Sequence, residues 1–412
     1  MQKRETTTCC IAGGGPAGVM LGYLLARAGV SVTVLEKHKD FFRDFRGDTI
    51  HPSTLELMRE LGLLEEFLKV PHQEVRSIGG LYGDFAFTVA DFSHLPVQCR
   101  FIALMPQWDF LNFLTDHSKQ FTTFHLRMEH EAVGLLEESG AIKGVRVKTP
   151  EGEIEIEADL VIGCDGRHSN VRDSGHFEVI NFGVPVDVLW FRISRKPDDS
   201  YQALGRIDYG QMLILINRGD YFQAGLIIRK GAFDLVRNAG LPAFRSQLLS
   251  VAPFLSERVE EIQHWDQIKL LSVQINRLRK WHKPGLLCLG DAAHAMSPAG
   301  GVGINFAVQD AVAAANILTQ ALRERRVTDD LLAQVQQRRE FPVRVVQSAQ
   351  ARIHNVSLNF LGTPKKAKAP WQLRAFTRIP GIRRLLARGV GLGIRPEHIH
   401  SPIEKSIVRA MM

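Results

Sequence analysis

Apolar residues are arranged along the chain in short continuous runs, separated by glycine-rich turns and by segments of helical periodicity. Thr6 to Ala12 is the first run; apolar positions then recur at helical spacing as far as Gly29, and Val30 to Leu35 is a second run. Continuous runs of this length are typical of buried parallel strands. The N-terminal residues therefore predict a strand, a helix and a second strand.

Two later apolar runs have the same character. Ala158 to Gly163 and Gly285 to Leu289 each predict a short buried strand, and each is followed by a turn that contains an aspartate, Asp165 or Asp291. In open parallel sheets, ligands bind in the crevice beyond the carboxyl ends of the strands. We therefore expect both carboxylates at one sheet edge, and an Ala-rich helix from Asn305 to Leu318.

A different pattern covers Val184 to Lys230, where polar and apolar residues alternate, and shorter alternating pieces lie between Phe85 and Val97. Alternation with a period of two favours an antiparallel sheet with one covered face. The sequence therefore predicts an α/β fold that is interrupted by an antiparallel β-sheet domain and then resumed. A helical region follows at the C-terminus.

The turn after the first predicted strand is Gly13-x-Gly15-x-x-Gly18, and Glu36 ends the second strand. In this context the glycines allow a tight turn and a close approach of pyrophosphate to the helix N-terminus. An acid about 20 residues further on accepts hydrogen bonds from ribose hydroxyls. The motif and its flanking strands together predict a Rossmann-like dinucleotide-binding domain.

A second glycine-rich turn, from Pro298 to Asn305, precedes the Ala-rich helix. Gly300, Gly301 and Gly303 let the backbone approach a ligand closely. The helix N-terminus supplies free N–H groups and the positive end of the helix dipole, which favour an electron-rich ring carbonyl. The alternative is a flexible loop before a helix.

Composition limits the class of protein. The chain has 412 residues, enough for two or three domains. Its five cysteines form no Cys-x-x-Cys pair, which is typical of reduced thiols in a cytoplasmic protein, and no metal site is predicted. The first apolar run is too short for a signal peptide, and no run is long enough to span a bilayer.

Positive charge is concentrated near the C-terminus. The formal net charge is +7, and residues 341–396 contain eleven Lys and Arg but no Asp or Glu, so the remainder carries +7 − 11 = −4. Two interpretations stay open: a helix packed on the body with its basic face in water, or peripheral contact with an anionic membrane surface. Nucleic-acid binding is not predicted, because no nucleic-acid-binding motif accompanies the charge.

Three motifs occur in order: Gly13-x-Gly15-x-x-Gly18 with Glu36, Gly163-x-Asp165-Gly166, and Gly290-Asp291 with Pro298 and Asn305. In this order and spacing they resemble the p-hydroxybenzoate hydroxylase-like, group A, flavin-dependent aromatic hydroxylases. The resemblance covers roughly Thr6 to Leu322. It implies a glutathione-reductase-type FAD-binding domain that is interrupted by the β-sheet substrate domain.

The resemblance also implies which residues contact FAD. The implied set is Gly13, Gly15, Ala17 and Gly18 at the pyrophosphate; Glu36 at the ribose, with Lys37 nearby; Arg46 and Gln107 at the flavin; Val133 on the strand beside the adenine; Asp165, shared with the nicotinamide cofactor; Asp291 at the ribityl chain; and Pro298, Gly301, Gly303, Ile304 and Asn305 around the ring. Pro298 is the best candidate for a catalytic role, because it resembles the proline beside the reactive flavin carbon.

Domain boundaries follow from the same resemblance and from the changes of pattern. The expected division is 1–75, 101–180 and 271–340 for the FAD-binding domain, 76–100 and 181–270 for the substrate domain, and 341–412 for the basic helical region.

The implied reaction is monooxygenation. NADPH or NADH would bind transiently and reduce FAD, O2 would add to give a flavin C4a-hydroperoxide, and one oxygen atom would pass to an aromatic or quinone-like, hydrophobic small molecule. A cytoplasmic enzyme is expected, with possible contact of the basic region with a membrane. The oligomeric state is not predicted.

Other roles of flavoproteins with this fold are alternatives to monooxygenation. A halogenase of this fold would carry a Trp-x-Trp-x-Ile-Pro motif, which this sequence lacks. A geranylgeranyl-type reductase would saturate lipid double bonds without consuming oxygen, and a catalytically silent flavin-binding scaffold is a further alternative.

The residue that activates the substrate is not identified by the sequence. Six candidates have suitable side chains, although each is more simply read as a packed or solvated residue: His51, Arg192, Tyr201, Tyr209, Gln211 and Tyr221. We expect His294 to support the turn after Asp291 rather than to transfer protons.

Overall fold

The structure is a computed structural model that describes residues 4–42, 49–199, 205–358, 360–362 and 365–404. Within these residues the strands are β1 (Arg4–Ala12), β2 (Val32–Glu36), β3 (Thr49–Ile50), β4 (Gln73–Val75), β5 (Ser77–Tyr82), β6 (Phe85–Asp91), β7 (Ile102–Leu104), β8 (Phe124–Met128), β9 (Glu131–Glu138), β10 (Ala141–Thr149), β11 (Gly152–Gly163), β12 (Val179–Asn181), β13 (Val186–Ser194), β14 (Gly205–Asp208), β15 (Gln211–Asn217), β16 (Tyr221–Arg229), β17 (Lys269–Leu271), β18 (Asn276–Leu278), β19 (His282–Lys283) and β20 (Leu286–Cys288).

The helices are α1 (Pro16–Arg27), α2 (Pro52–Glu60), α3 (Leu64–Phe67), α4 (Gln107–Ser118), α5 (Asn170–Ser174), α6 (Phe233–Asn238), α7 (Leu241–Val251), α8 (Gly303–Arg323), α9 (Asp329–Leu358), α10 (Trp371–Thr377) and α11 (Pro380–Gly391).

The first sheet is built on the apolar runs of the sequence. Its main path is β19-β20-β11-β1-β2-β8, with β10 paired to β11 and β9 to β10. Strand β1 pairs in parallel with both neighbours, so that Cys9 lies between Val32 and Leu160. Strands β2 with β8 and β11 with β20 are also parallel. The predicted Rossmann-like α/β fold is confirmed, and β1, β2, β11 and β20 end at the same edge.

Helices α1 and α8 cover this sheet and form its largest apolar core. Residues 17–26 of α1 are all buried. The helix can lie close to the turn that precedes it because residue 18 is a glycine. A Cβ at Gly18 would lie 1.9 Å from the carbonyl oxygen of Gly13. Helix α8 begins at Gly303, two residues before the predicted start, and its buried face joins the same core.

The second sheet combines two separated segments of the chain. Its order is β17-β13-β16-β15-β14-β5-β6, in which β5 and β6 come from the earlier segment and β5 pairs in parallel with β14. The prediction of a single covered face is wrong for β13. One face of this strand packs Phe191 against Phe244 of α7, while the other buries Trp190 beside Leu361.

The C-terminal helices pack on the body of the protein. Helix α11 lies against β6 and buries Ala387, while Leu385 on the same helix is 69% exposed. Arg384 and Arg388 on this helix are exposed as well. Among the described residues, no helix combines the length and the hydropathy that crossing a membrane requires.

Candidate active site

Four chain segments meet at the carboxyl edge of the first sheet. The Gly13 N–H donates to the carbonyl of Leu35 over 2.8 Å, and the Cys164 N–H donates to the carbonyl of Ala12 over 2.7 Å. The Leu289 N–H in turn donates to the carbonyl of Gly163. These bonds bring together the turns after β1, β2, β11 and β20, as expected for a crevice that binds a ligand at strand ends.

The turn from β1 into α1 depends on the absence of side chains. Gly13 has φ +110°, a conformation that disfavours other residues, and a Cβ there would lie 2.3 Å from the carbonyl oxygen of Cys164. Gly15, the N-cap of α1, faces open space instead: a Cβ would have no neighbour within 4 Å. The helix N-terminus is therefore accessible to an anion.

Glu36 is fixed beside this turn. Its Oε2 accepts from the Gly14 N–H at 3.2 Å, and its Oε1 accepts from the His38 N–H at 3.1 Å. Lys37 is exposed and lies 3.9 Å from Glu131. The carboxylate is thus held next to the N-terminus of α1, in the position that the dinucleotide fingerprint requires.

Asp165 caps a helix within the protein. One carboxylate oxygen bonds to the hydroxyl of Ser169, and the other accepts from the Val171 N–H at 3.1 Å. Burial raises the pKa of Asp165, while these hydrogen bonds oppose the shift. Its side chain therefore shapes the turn after β11.

Asp291 lies in the turn after β20 and pairs with Arg167, whose Nε is 3.0 Å from Oδ2. Both side chains remain about one-third exposed, so that the pair faces the crevice. Arg167 was not among the predicted contact residues. Its place directly after the Gly163-x-Asp165-Gly166 motif was the signal that could have identified it.

The glycine-rich turn before α8 is locked to β3. Gly301 has φ +62°, and a Cβ there would lie 2.4 Å from the hydroxyl oxygen of Thr49. That hydroxyl donates to the carbonyl of Gly301 over 2.6 Å. Gly303, the first residue of α8, faces open space, whereas Ile304 is buried. The turn therefore presents its backbone and the helix N-terminus to the crevice.

Asn305 has its amide fully engaged within the protein. Its Oδ1 accepts from the His51 N–H and from the Thr54 hydroxyl, each at 2.8 Å. Its Nδ2 donates to the carbonyls of Thr49 and Gly301. Asn305 therefore fixes the turn against β3 and α2, and its side chain has no hydrogen-bonding capacity left for a ligand.

His51 is buried and joins the same turn to the C-terminal helices. Its Nδ1 lies 2.8 Å from the carbonyl oxygen of Val390, so Nδ1 carries the proton and Nε2 does not. Burial lowers the pKa of His51 from its ordinary 6.5 to about 4. The imidazole is therefore neutral near pH 7.

Other predicted residues lie at the margins of the crevice. Gln107 is the first residue of α4, and Val133 lies on β9. Pro298 is half-buried between Ser297 and Ala299. Arg46 and Tyr201 are outside the described residues. Ala17 is buried at the start of α1, two residues after Gly15.

The candidates for substrate activation on the second sheet do not form one cluster. The guanidinium of Arg192 lies 3.7 Å from the ring centroid of Tyr221. Tyr209 is 42% exposed in the turn between β14 and β15, with Gln211 beginning β15. Of these, Arg192 and Tyr221 are the two that contact each other.

His294 belongs to a buried ionic network, as expected for a supporting residue. Its Nε2 lies 2.5 Å from Oδ2 of Asp310, while Arg339 Nε lies 2.9 Å from Oδ1. Burial alone would raise the pKa of Asp310, but these two neighbours hold it below its ordinary value. Asp310 also accepts from the Gly290 N–H, so this network supports the turn that carries Asp291.

These features fit a bound FAD. Open space lies above Gly15 and Gly303, the first at a helix N-terminus suited to a pyrophosphate and the second at one suited to an electron-rich ring edge. Glu36 and Asp291 provide carboxylates for hydroxyl groups between these points. A Cβ would clash with the protein at Gly13 and Gly301. At Gly15 and Gly303, where the ligand would lie, a Cβ would meet no protein atom within 4 Å.

Comparison with known proteins identifies the class. Residues 5–349 match the FAD binding domain family, and the chain belongs to this p-hydroxybenzoate hydroxylase-like, group A, family of flavoprotein monooxygenases. It is an FAD-dependent monooxygenase of the aromatic hydroxylase type. NAD(P)H is the reductant typical of the family. The reductase alternative is not favoured.

Among individual relatives, 6-methylpretetramide 4-monooxygenase of Streptomyces rimosus is 28% identical over 391 residues, which cover 93% of this chain and 91% of that protein. Rifampicin monooxygenase of Streptomyces venezuelae is 25% identical over 314 residues, 73% of this chain and 61% of that one.

Solved structures share the fold. The anhydrotetracycline hydroxylase OxyS from Streptomyces rimosus has a TM-score of 0.74 at 24% identity, over 95% of this chain and 77% of that one. PqsL from Pseudomonas aeruginosa, solved in complex with 2-aminobenzoylacetate, has a TM-score of 0.75 at 22% identity, over 86% and 97%.

Proposed function

We propose that this enzyme hydroxylates a fused-ring aromatic molecule of the polyketide type. The observation that carries the proposal is the match to 6-methylpretetramide 4-monooxygenase, which extends over nearly the whole of both chains. Met212 and Ile214 on β15, which are apolar and only partly buried, support a hydrophobic substrate. Such a substrate gains most of its binding free energy from the burial of apolar surface.

In this proposal FAD lies along the carboxyl edge of the first sheet. The N-terminus of α1 at Gly15 binds the pyrophosphate, Glu36 binds the adenosine ribose and Asp291 binds the ribityl chain. The ring lies over the turn from Pro298 to Gly303. When bound, FAD supplies the redox chemistry that activates O2.

The protein residues orient FAD and stabilise the charge of its reduced form. The N-terminus of α8 places positive potential beside the ring, which favours negative charge on the reduced cofactor. His51, neutral near pH 7, adds no charge at this position.

The division into domains follows the same scheme. We propose that residues 76–100 and 181–270 form the substrate domain and that 1–75, 101–180 and 271–340 form the FAD-binding domain. This is supported by the sheet that β5 and β6 build together with β13 to β17, since strands from both segments lie in one sheet.

Oxygen uptake by the FAD-loaded protein tests the activity. NADPH and NADH are each supplied with a panel of phenols, quinolones and fused-ring polyketide aromatics, while peroxide is measured in the same sample. We expect uptake stimulated by a fused-ring compound with little peroxide, and a hydroxylated product by mass spectrometry. Nicotinamide oxidation coupled to reduction of the substrate, without oxygen uptake, would reject the proposal.

We propose that the enzyme is cytoplasmic and that its C-terminal region makes peripheral contact with anionic lipid. The support is the exposure of Trp371 (74%) and Leu385 (69%) among the arginines of α10 and α11. Buried, free cysteines support a reducing compartment.

Co-sedimentation tests the contact with lipid. Anionic lipid vesicles at low salt should co-sediment the protein, and a variant with Arg383→Gln, Arg384→Gln and Leu385→Ser should remain in the supernatant. A wild-type protein that stays in the supernatant would reject the contact.

A further inference from the structure

Three buried polar side chains form a stripe along α9. Gln347, Gln350 and His354 follow one another at helical spacings of three and four residues, and they are 2%, 3% and 5% exposed. A buried amide or imidazole without partners destabilises a protein, so each must be paired. The hydrogen-bond partners of these side chains show which segment this face of the helix holds in place.

The two glutamines bond to the backbone that follows His294. Gln347 Nε2 donates to the carbonyl of Ala295 over 3.1 Å. Gln350 Oε1 accepts from the Ser297 N–H at 3.1 Å, and its Nε2 donates to the carbonyls of Ser297 at 3.0 Å and Ala299 at 2.8 Å. One amide therefore binds the backbone on both sides of Pro298, at Ser297 and at Ala299.

His354 completes the arrangement through a hydroxyl. Its Nε2 lies 2.5 Å from Oγ of Ser297, and the same Oγ accepts from the Ala299 N–H at 3.1 Å. The hydroxyl hydrogen is therefore free to be donated to Nε2, which requires a neutral imidazole. Burial, which lowers the pKa of His354, agrees with this protonation state.

Outside α9, the segment held in this way bonds to Asn276 through Ala295, and the Pro298 carbonyl accepts from the Gly301 N–H. Residues 295–298 are neither helix nor strand, and Pro298 has no N–H to donate. In regular secondary structure, backbone partners would satisfy these peptide groups; here the side chains of α9 do so. Gln350 and His354 lie beyond residue 349, where the family match ends.

We propose that Gln350 and His354 are positioning residues that set the place of Pro298 against the ring of FAD. The inference rests on the proposed flavin site. Both side chains act through Ser297 and Ala299 rather than by contact with the substrate. A small displacement of Pro298 would change how tightly FAD is held and how well the reactive side of the ring is shielded from water, so cofactor binding and coupling should respond together.

The test compares variants of the full-length FAD-loaded enzyme. His354→Leu removes the acceptor, His354→Gln restores one on a side chain of similar reach, and Ser297→Ala removes the hydroxyl while leaving α9 intact. Ser357→Ala is the matched control, because Ser357 is buried on the same helix and its hydroxyl bonds to Ile353 within that helix. FAD affinity, the visible spectrum of the bound flavin, the share of peroxide and the melting temperature are measured for each.

We expect His354→Leu and Ser297→Ala to bind FAD about tenfold more weakly, as loss of one buried hydrogen bond implies. We also expect both to shift the flavin spectrum and to release more peroxide. His354→Gln should recover most of each change, and Ser357→Ala should match the wild type.

Unchanged affinity, spectrum and coupling in Ser297→Ala would overturn the inference even if His354→Leu failed to fold. A His354→Leu variant that melts earlier but keeps the wild-type spectrum and coupling would also overturn it, because the role would then be structural only. If the wild-type protein itself binds no FAD, the proposed function fails and this inference fails with it.

Discussion

Arg167 and Asp291 form an ion pair across the crevice, with 3.0 Å between Nε and Oδ2. The pair joins the turn after β11 to the turn after β20, two segments more than a hundred residues apart in sequence. Because both side chains keep about a third of their surface exposed, the carboxylate stays available to a ligand while its direction is fixed. This combination is the expected arrangement for a group that binds a cofactor hydroxyl.

Asp291→Ala should therefore weaken FAD binding. Loss of a hydrogen bond to a charged group corresponds to about 1.5 to 3 kcal/mol, or roughly 10- to 150-fold in the dissociation constant. Titration of the apo protein with FAD, followed by flavin fluorescence, measures the change. Asp116→Ala is the control, since that carboxylate is exposed and pairs with Lys119 at the C-terminal end of α4. Equal affinity in Asp291→Ala and wild type would show that the cofactor lies elsewhere.

Arg339→Met should destabilise the protein strongly. Arg339 and Asp310 are 2% and 0% exposed, so the substitution leaves a buried carboxylate with one partner fewer. Breaking a buried pair in this way costs about 3 to 5 kcal/mol. Urea unfolding provides the measurement.

Arg338→Met serves as the neighbouring control for this effect. Arg338 is 43% exposed and bonds to Glu397, which is 6% exposed and keeps Arg339 as a second partner. Loss of Arg338 should therefore cost less than loss of Arg339, because the removed charge is partly hydrated and the carboxylate stays paired. Equal losses in the two variants would mean that burial does not govern the contribution of the network.

His51 should make the stability of the protein depend on acid pH. Its pKa falls from 6.5 to about 4 on burial, so between these values the unfolded chain binds a proton that the folded protein does not. The free energy of unfolding therefore decreases as the pH falls through this interval. In His51→Gln this decrease should be smaller, although the variant starts from a lower stability because it alters the bond to Val390. Urea unfolding of both proteins across the interval checks this, and parallel pH curves would contradict it.

The sequence was sufficient for the parts of the site that depend on local backbone shape. Gly13 and Gly301 have positive φ and would clash with the protein if they carried a Cβ, so their motifs identify the turns directly. The strand ends that carry Asp165 and Asp291 also follow from short local patterns. In each case the chemistry and the fold depend on neighbouring residues of the chain.

Contacts between distant segments could not be predicted in the same way. The amide of Asn305 bonds to residues about 250 positions earlier, so its role in fixing the turn against β3 and α2 is not visible in the local sequence. Gln350 and His354 lie in a helix whose sequence resembles any amphipathic helix. Their polar stripe is visible in the sequence, but its partner at Ser297 is defined only once α9 is packed on the site.

Gly303→Ala should separate cofactor binding from folding. Gly303 is the first residue of α8, and a Cβ there meets no protein atom within 4 Å, so alanine fits the apo protein and should stabilise it by about 0.4 to 1 kcal/mol. If the flavin ring lies over this turn, the same methyl group occupies its space, and FAD binding should weaken. Gly389→Ala in α11, which also meets no neighbour within 4 Å, should give a similar stabilisation with unchanged FAD affinity. Thermal melts of the apo proteins and FAD titrations measure the two effects. A Gly303→Ala protein that binds FAD as well as Gly389→Ala does would place the ring away from the N-terminus of α8.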